Sequence, residues 1–117
     1  MSRIIVEGGK PLCGELTIQG SKNAALPILA ATILVSGESV LMDCPDITDV
    51  QETIYLLKKL GCKIEKDRDA LRIDATDISS DEVTDKTAAH SRISVMLLAA
   101  LIGRKKRAVA AYPGGCT

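Results

Sequence analysis

The chain has 117 residues, 46% hydrophobic and 26% charged, with fifteen basic residues offset by fifteen acidic ones. That composition excludes an intrinsically disordered chain and a sequence-wide basic footprint for nucleic acid. Two tyrosines with no Phe or Trp leave Ile, Leu, Val and Ala to fill the core, and exclude aromatic platforms for stacking bases.

In chain order, Arg3 to Glu7 reads as a strand, Gly8-Gly9 as a turn, and Cys13 to Gln19 as a second strand. Leu16 and Ile18 alternate there with Glu15, Thr17 and Gln19, the pattern of a half-buried strand. After Gly20, a helix is predicted from Lys22 to Val35 with Ser21 as its cap. Pro27 falls within its first turns, where a missing amide costs least. A short strand follows over Ser39 to Asp43. Thr48-Asp49-Val50-Gln51 has capping-box form, and Val50, Ile54, Leu57 and Leu60 line one face of a helix ending at Gly61. Cys62 to Glu65 and Leu71 to Asp74 read as paired strands, Ala75 to Lys86 as a loop, Thr87 to Ile102 as a third helix and Ala108 to Tyr112 as a last strand. The alternation indicates an α/β fold. The longest apolar run, Val95 to Ile102, is too short to span a bilayer. With no secretory leader legible, a cytoplasmic protein without membrane contact is expected.

A faint internal repeat relates Lys22 to Arg92 at a spacing of 70 residues and Pro45 to Pro113 at 68. Chance likeness between two Ala-Leu helices explains it equally well. If it is a true repeat, it implies units of βαβαββ form.

Three places carry candidate chemistry. At Gly20-Ser21-Lys22-Asn23 a strand meets a helix start, where free amides and the helix dipole favour an anion. A lysine in the first turn opposes that dipole. Lys22 is therefore either retained for a bound anion or an exposed lysine tolerated at small cost. Arg92 opens an apolar helix, and either pairs with an acid or grips a phosphate or carboxylate with its planar fork. Cys116 follows Pro113-Gly114-Gly115, a loop that exposes the thiol; beside cations such a thiol can act as acid, base or nucleophile. Cys13, Cys44 and Cys62 read as small core residues, and no spacing among the four cysteines supports a zinc site. His90 reads as a surface histidine, and Arg104 to Arg107 as a solvated turn after a helix.

Together, Gly20-Ser21-Lys22-Asn23-Ala24-Ala25-Leu26-Pro27, Arg92-Ile93-Ser94 and Pro113-Gly114-Gly115-Cys116 give a chain that resembles the N-terminal part of the UDP-N-acetylglucosamine 1-carboxyvinyltransferase (enolpyruvyl transferase) family. The likeness spans nearly all 117 residues, including the helix ending Lys58-Lys59-Leu60-Gly61. Ile93 departs from it, standing where the family commonly has Ala. The resemblance implies an inside-out α/β barrel of βαβαββ repeats, here a partial barrel. Residues 1–21 would be strands belonging to the second domain of the full-length fold. Residues 22–117 would be the first βαβαββ unit and the start of the next unit of the catalytic domain.

The implied reaction moves the enolpyruvyl group of phosphoenolpyruvate onto the 3′-hydroxyl of UDP-N-acetylglucosamine with release of phosphate. It is the first committed step of peptidoglycan synthesis, a cytoplasmic step and the target of fosfomycin. By the resemblance, Lys22 would neutralise phosphoenolpyruvate, Asn23 and Arg92 would contact the nucleotide sugar, and Cys116 would be the general acid. No cofactor and no metal are implied. Phosphoenolpyruvate, UDP-N-acetylglucosamine and the remainder of the same chain are the expected partners, without nucleic acid. The family continues past the position of Thr117 with a uridine-binding segment, a base and further arginines, so residues 1–117 alone are expected to be inactive. The alternatives are a truncated non-catalytic module that binds a nucleotide sugar or a full-length partner, and a thiol-based redox protein built on Cys116.

Overall fold

A computed structural model describes residues 2–84 and 92–110. Its elements are helix α1 (Lys22–Ala31) with a 3-10 turn at Thr32–Leu34, strand β1 (Glu38–Met42), helix α2 (Thr48–Leu60), strands β2 (Lys63–Asp67), β3 (Ala70–Asp74) and β4 (Glu82–Val83), helix α3 (Ile93–Lys105) and strand β5 (Val109–Ala110).

Strands β1, β3 and β2 form an antiparallel sheet in that order, with β3 central. Ile73 pairs with Ser39 on one side and Ile64 on the other. Period-two alternation sends Leu71 and Ile73 to the buried face and Arg72 to solvent. That buried face meets Leu29 and Ile33 of the first helical segment, Leu56, Leu57 and Leu60 of α2, and Leu97 and Leu101 of α3 in one aliphatic core. Each fully buried Leu or Ile contributes about 1.5–3 kcal/mol, so the ring-free core is made from many comparable pieces. The tight turn between β2 and β3 places Arg68 at φ 53°, in the left-handed region.

α2 is the amphipathic helix of the set. It buries Val50, Thr53, Leu56, Leu57 and Leu60 and ends at Gly61, whose φ is 113°. A Cβ there would lie 2.6 Å from the Asp77 carbonyl oxygen, so only glycine lets the 77–79 segment close over the helix end. Ser79 N–H then donates to the Leu60 carbonyl at 2.9 Å.

Several expectations change in three dimensions. Residues 2–19 form no strand and are exposed. A strand needs a hydrogen-bonded neighbour, and among the described residues none lies beside them. The first helix ends at Ala31 and tightens into the 3-10 turn. Ser21 occupies its N-cap position but makes no side-chain cap bond. The capping box also does not form: Ile47 is the N-cap of α2 and Thr48 its first helical residue. The stretch read as a loop from Ala75 contains β4, which pairs in parallel with β5. The third helix runs on to Lys105; its expected opening at 87–91, with His90, lies outside the described residues. So does the 111–112 end of the last strand. Cys62 is buried as read, Cys44 is half-buried, and Cys13 is exposed.

The basic run is the largest correction. Arg104 is half-buried and bonded to backbone carbonyls, while Lys105, Lys106 and Arg107 are exposed as read. Arg104 donates from Nη1 to the Ile33 and Val35 carbonyls at 2.8 and 3.3 Å, and from Nη2 to the Thr76 carbonyl at 3.0 Å. Lys105 donates to the Ile78 carbonyl at 3.0 Å, and Arg107 pairs with Asp81 at 2.7 Å. Helix C-termini and the turns after them expose unpaired carbonyls, and these cations satisfy the ones that joining three segments would leave open.

Candidate functional site

Lys22 and Asn23 are the first two residues of α1, and both are exposed. Three contacts fix where this helix begins. Gly20 lies so close beneath the Asp43 carbonyl that a Cβ would come within 2.2 Å of its oxygen. Asp46 N–H donates to Gln19 Oε1 at 3.3 Å, and α1 packs on α2. Pro27 removes the amide that would otherwise donate to the Asn23 carbonyl, so that carbonyl at the helix start lacks its usual intrahelical partner.

Lys22 meets an acid inside the chain. Its Nζ lies 2.5 Å from Asp49 Oδ2, and the two side chains are 52% and 40% exposed. Asp49 stands in the first turn of α2, where the helix dipole favours a carboxylate. The conflict that singles out Lys22 in the sequence is thus answered by a neighbouring helix, while half of its side-chain surface stays open to solvent. Asp49 was missed as a partner because the capping-box pattern assigned it a purely local place. The signal that could have found it was the uncompensated charge of Lys22 itself.

Arg92 is exposed and occupies the N-cap of α3; Val95 N–H donates to its carbonyl at 3.2 Å. Arg104, near the other end of α3, is bonded to the segment that ends the first helix, and α1 itself packs on α3. The C-terminal ends of the two helical segments therefore lie close together. Cys116 lies outside the described residues.

Two clefts flank the 43–46 loop. The larger, about 270 Å³, is lined by residues including Asp46, Gln51, Lys66 and Leu71. The other, about 230 Å³, is lined by residues including Gly20, Ser21, Ala24 and Met42. Neither is lined by Lys22, Asn23 or Arg92, which stand on exposed helix starts. Within the larger cleft the Asp46 carboxyl is held below the usual carboxylate range by the Gln51 side-chain amide, with Lys66 adding to it. Burial pushes the Cys44 thiol up against the opposing pull of Lys66, and pushes the Cys62 thiol up to about 11. Neither thiol is activated for nucleophilic or redox chemistry. Among the described residues no cluster of His, Cys, Asp and Glu could hold a metal ion, and no helix is long and apolar enough to cross a membrane.

Comparison with known proteins assigns this α/β fragment to a family of carboxyvinyltransferases. The family model of EPSP synthase (3-phosphoshikimate 1-carboxyvinyltransferase) matches residues 6–117, and the chain belongs to that family. Over 116 residues it is 42% identical to UDP-N-acetylglucosamine 1-carboxyvinyltransferase 2 of Caldanaerobacter subterraneus subsp. tengcongensis and 43% identical to UDP-N-acetylglucosamine 1-carboxyvinyltransferase of Desulfatibacillum aliphaticivorans. Each match covers 99% of this chain and 28% of the relative, so the chain spans just over a quarter of their length. The crystal structure of the enolpyruvyl transferase NikO from Streptomyces tendae superposes with a TM-score of 0.72 at 24% identity, over 83% of this chain and 23% of that one. The fold is that of an enolpyruvyl transferase, present here as part of the barrel.

Proposed function

We propose that this chain supplies one wall of an active site that transfers the enolpyruvyl group of phosphoenolpyruvate to the 3′-hydroxyl of UDP-N-acetylglucosamine and releases phosphate. The observation that carries this reading is the 42% identity, over 116 residues, to a relative named for that reaction. Residues 1–21 would add strands to a second domain. Leu16 and Ile18 alternate as strand residues yet stand exposed, as expected of a segment whose ladder partner lies elsewhere. The remainder of the barrel would complete the cleft in the cytoplasm, at the first committed step of peptidoglycan synthesis, and fosfomycin would inhibit it.

In this reading Lys22 places a positive charge against the phosphate of phosphoenolpyruvate, and fixed charge facing a trianionic substrate lowers the barrier most where water is excluded. Asn23 and Arg92 orient the nucleotide sugar. The Cys116 thiol delivers a proton to C3 of phosphoenolpyruvate. C2 gains cationic character, the sugar hydroxyl attacks it and gives its proton to a base in the remainder of the chain, and departure of phosphate with loss of a C3 proton restores the double bond.

The test is a chimera in which residues 1–117 replace the matching segment of the Caldanaerobacter relative. Phosphate release that depends on both substrates is expected, with Cys116→Ala strongly reducing it. A soluble, folded chimera without turnover would overturn the catalytic reading. Calorimetric binding of UDP-N-acetylglucosamine by that inactive chimera would instead identify a binding module.

A further inference from the structure

We propose that Asp49 is a positioning residue for Lys22: it holds the ammonium at the start of α1, where the phosphate of the substrate is received. This rests on the reading that Lys22 binds that phosphate. The positive end of the α1 dipole repels an ammonium at the first helical position, and a four-carbon stem leaves it free to swing away. Asp49, itself stabilised by the N-terminal end of α2, supplies the opposing pull at 2.5 Å.

The surroundings leave Asp49 as the acid for this task. Asp46, three residues earlier, is engaged by the Gln51 side-chain amide at 2.9 Å and by Lys66 at 3.7 Å. The helix start is held in place by Gly20 beneath the Asp43 carbonyl, so the separation of the two first turns does not depend on the ion pair. Removing the carboxylate then releases the lysine side chain while leaving the backbone that presents it unchanged. Because both side chains are about half exposed, the effect on anion affinity is moderate, about two- to fivefold.

The experiment is an NMR-detected titration, with phosphoenolpyruvate into the millimolar range, of the chimera that carries residues 1–117 in the Caldanaerobacter relative, following the Lys22, Asn23 and Ala24 amides. Wild-type protein, Asp49→Asn, Asp49→Glu, Lys22→Met and the double variant Lys22→Met/Asp49→Asn are compared. Asp49→Asn is expected to weaken binding two- to fivefold, Asp49→Glu to restore part of it, and Asp49→Asn to have no further effect once Lys22 is Met. A role confined to stability would shift the spectrum and the unfolding midpoint without that dependence on Lys22. Equal or tighter binding by Asp49→Asn, with Lys22→Met still weakening it, overturns the positioning role alone. No saturable shift in the wild type, or none lost in Lys22→Met, overturns the phosphate-binding reading of Lys22 and this proposal with it. If Asp49→Asn does not fold, Asp49→Ser, which keeps a polar residue in the first turn but removes the charge, carries the test, and unchanged affinity there with Lys22→Met still weakening binding overturns the role.

Discussion

Residues 13–19 and residues 70–74 carry the same period-two alternation and meet opposite fates. In the later segment Leu71 and Ile73 are 5% and 0% exposed, with β1 and β2 hydrogen-bonded on either side. In the earlier one Leu16 and Ile18 are 84% and 82% exposed. Alternation states which face a strand would bury; it does not provide the neighbour that satisfies its amides and carbonyls. The central strand has two neighbours, β2 across a tight turn and β1 from farther back in the chain. The N-terminal segment has none among the described residues.

Substitutions can break this contrast or sharpen it. The largest effect is expected in the core that the sheet and helices share: Leu57→Ala should destabilise the chain by about 2–5 kcal/mol in urea unfolding. A loss below one kcal/mol would show that the core is not held cooperatively. Gly61→Ala comes next, at about 2 kcal/mol, because φ 113° is strained for alanine and its Cβ would strike the Asp77 carbonyl. Restored stability in Gly61→Asn relative to Gly61→Ala would separate backbone strain from the steric clash.

Arg104→Met should cost about 1–3 kcal/mol, since it strands carbonyls at Ile33 and Thr76. The same Met change at Lys106, which is exposed, serves as the control and should cost almost nothing. In the N-terminal segment, Leu16→Ala and Ile18→Ala should each change stability by less than about 0.5 kcal/mol. A larger loss would mean that this segment does find a ladder partner in solution.

The smallest effect concerns acid. The Asp74 carboxyl sits below the usual carboxylate range, chiefly through the Thr76 hydroxyl and then the Thr76 amide, as does that of Asp46 through Gln51. A carboxyl depressed in the folded chain stabilises it above the ordinary carboxylate pKa and loses that contribution as pH falls through the folded value. Asp74→Asn should therefore flatten the acid end of the unfolding midpoint against pH and leave the neutral region nearly unchanged. A steeper acid limb in Asp74→Asn would reverse the assignment.

The candidate site was legible to different depths. Lys22 stood out because a cation at a helix start opposes the dipole. Arg92 stood out as the one charge opening an apolar helix. Asp49 did not, since its partner lies 27 positions earlier in the chain and its own neighbourhood offered a local explanation. Arg104 was hidden for a related reason: a basic run after a helix has the same composition whether solvated or bonded to distant carbonyls.

By itself the sequence determined the aliphatic core, the approximate position of each helix, the β2–β3 hairpin and the family likeness. All of these follow from local periodicity, turn residues and short motifs. Only the tertiary structure decided that β4 pairs with β5, that Asp49 faces Lys22, and that Arg104 ties three segments together. Those are contacts between groups far apart along the chain, and pairing over such distances is set by how helices and sheet stack on one another. The contact between α1 and α3 arises in the same way, a relation that neither helix encodes alone.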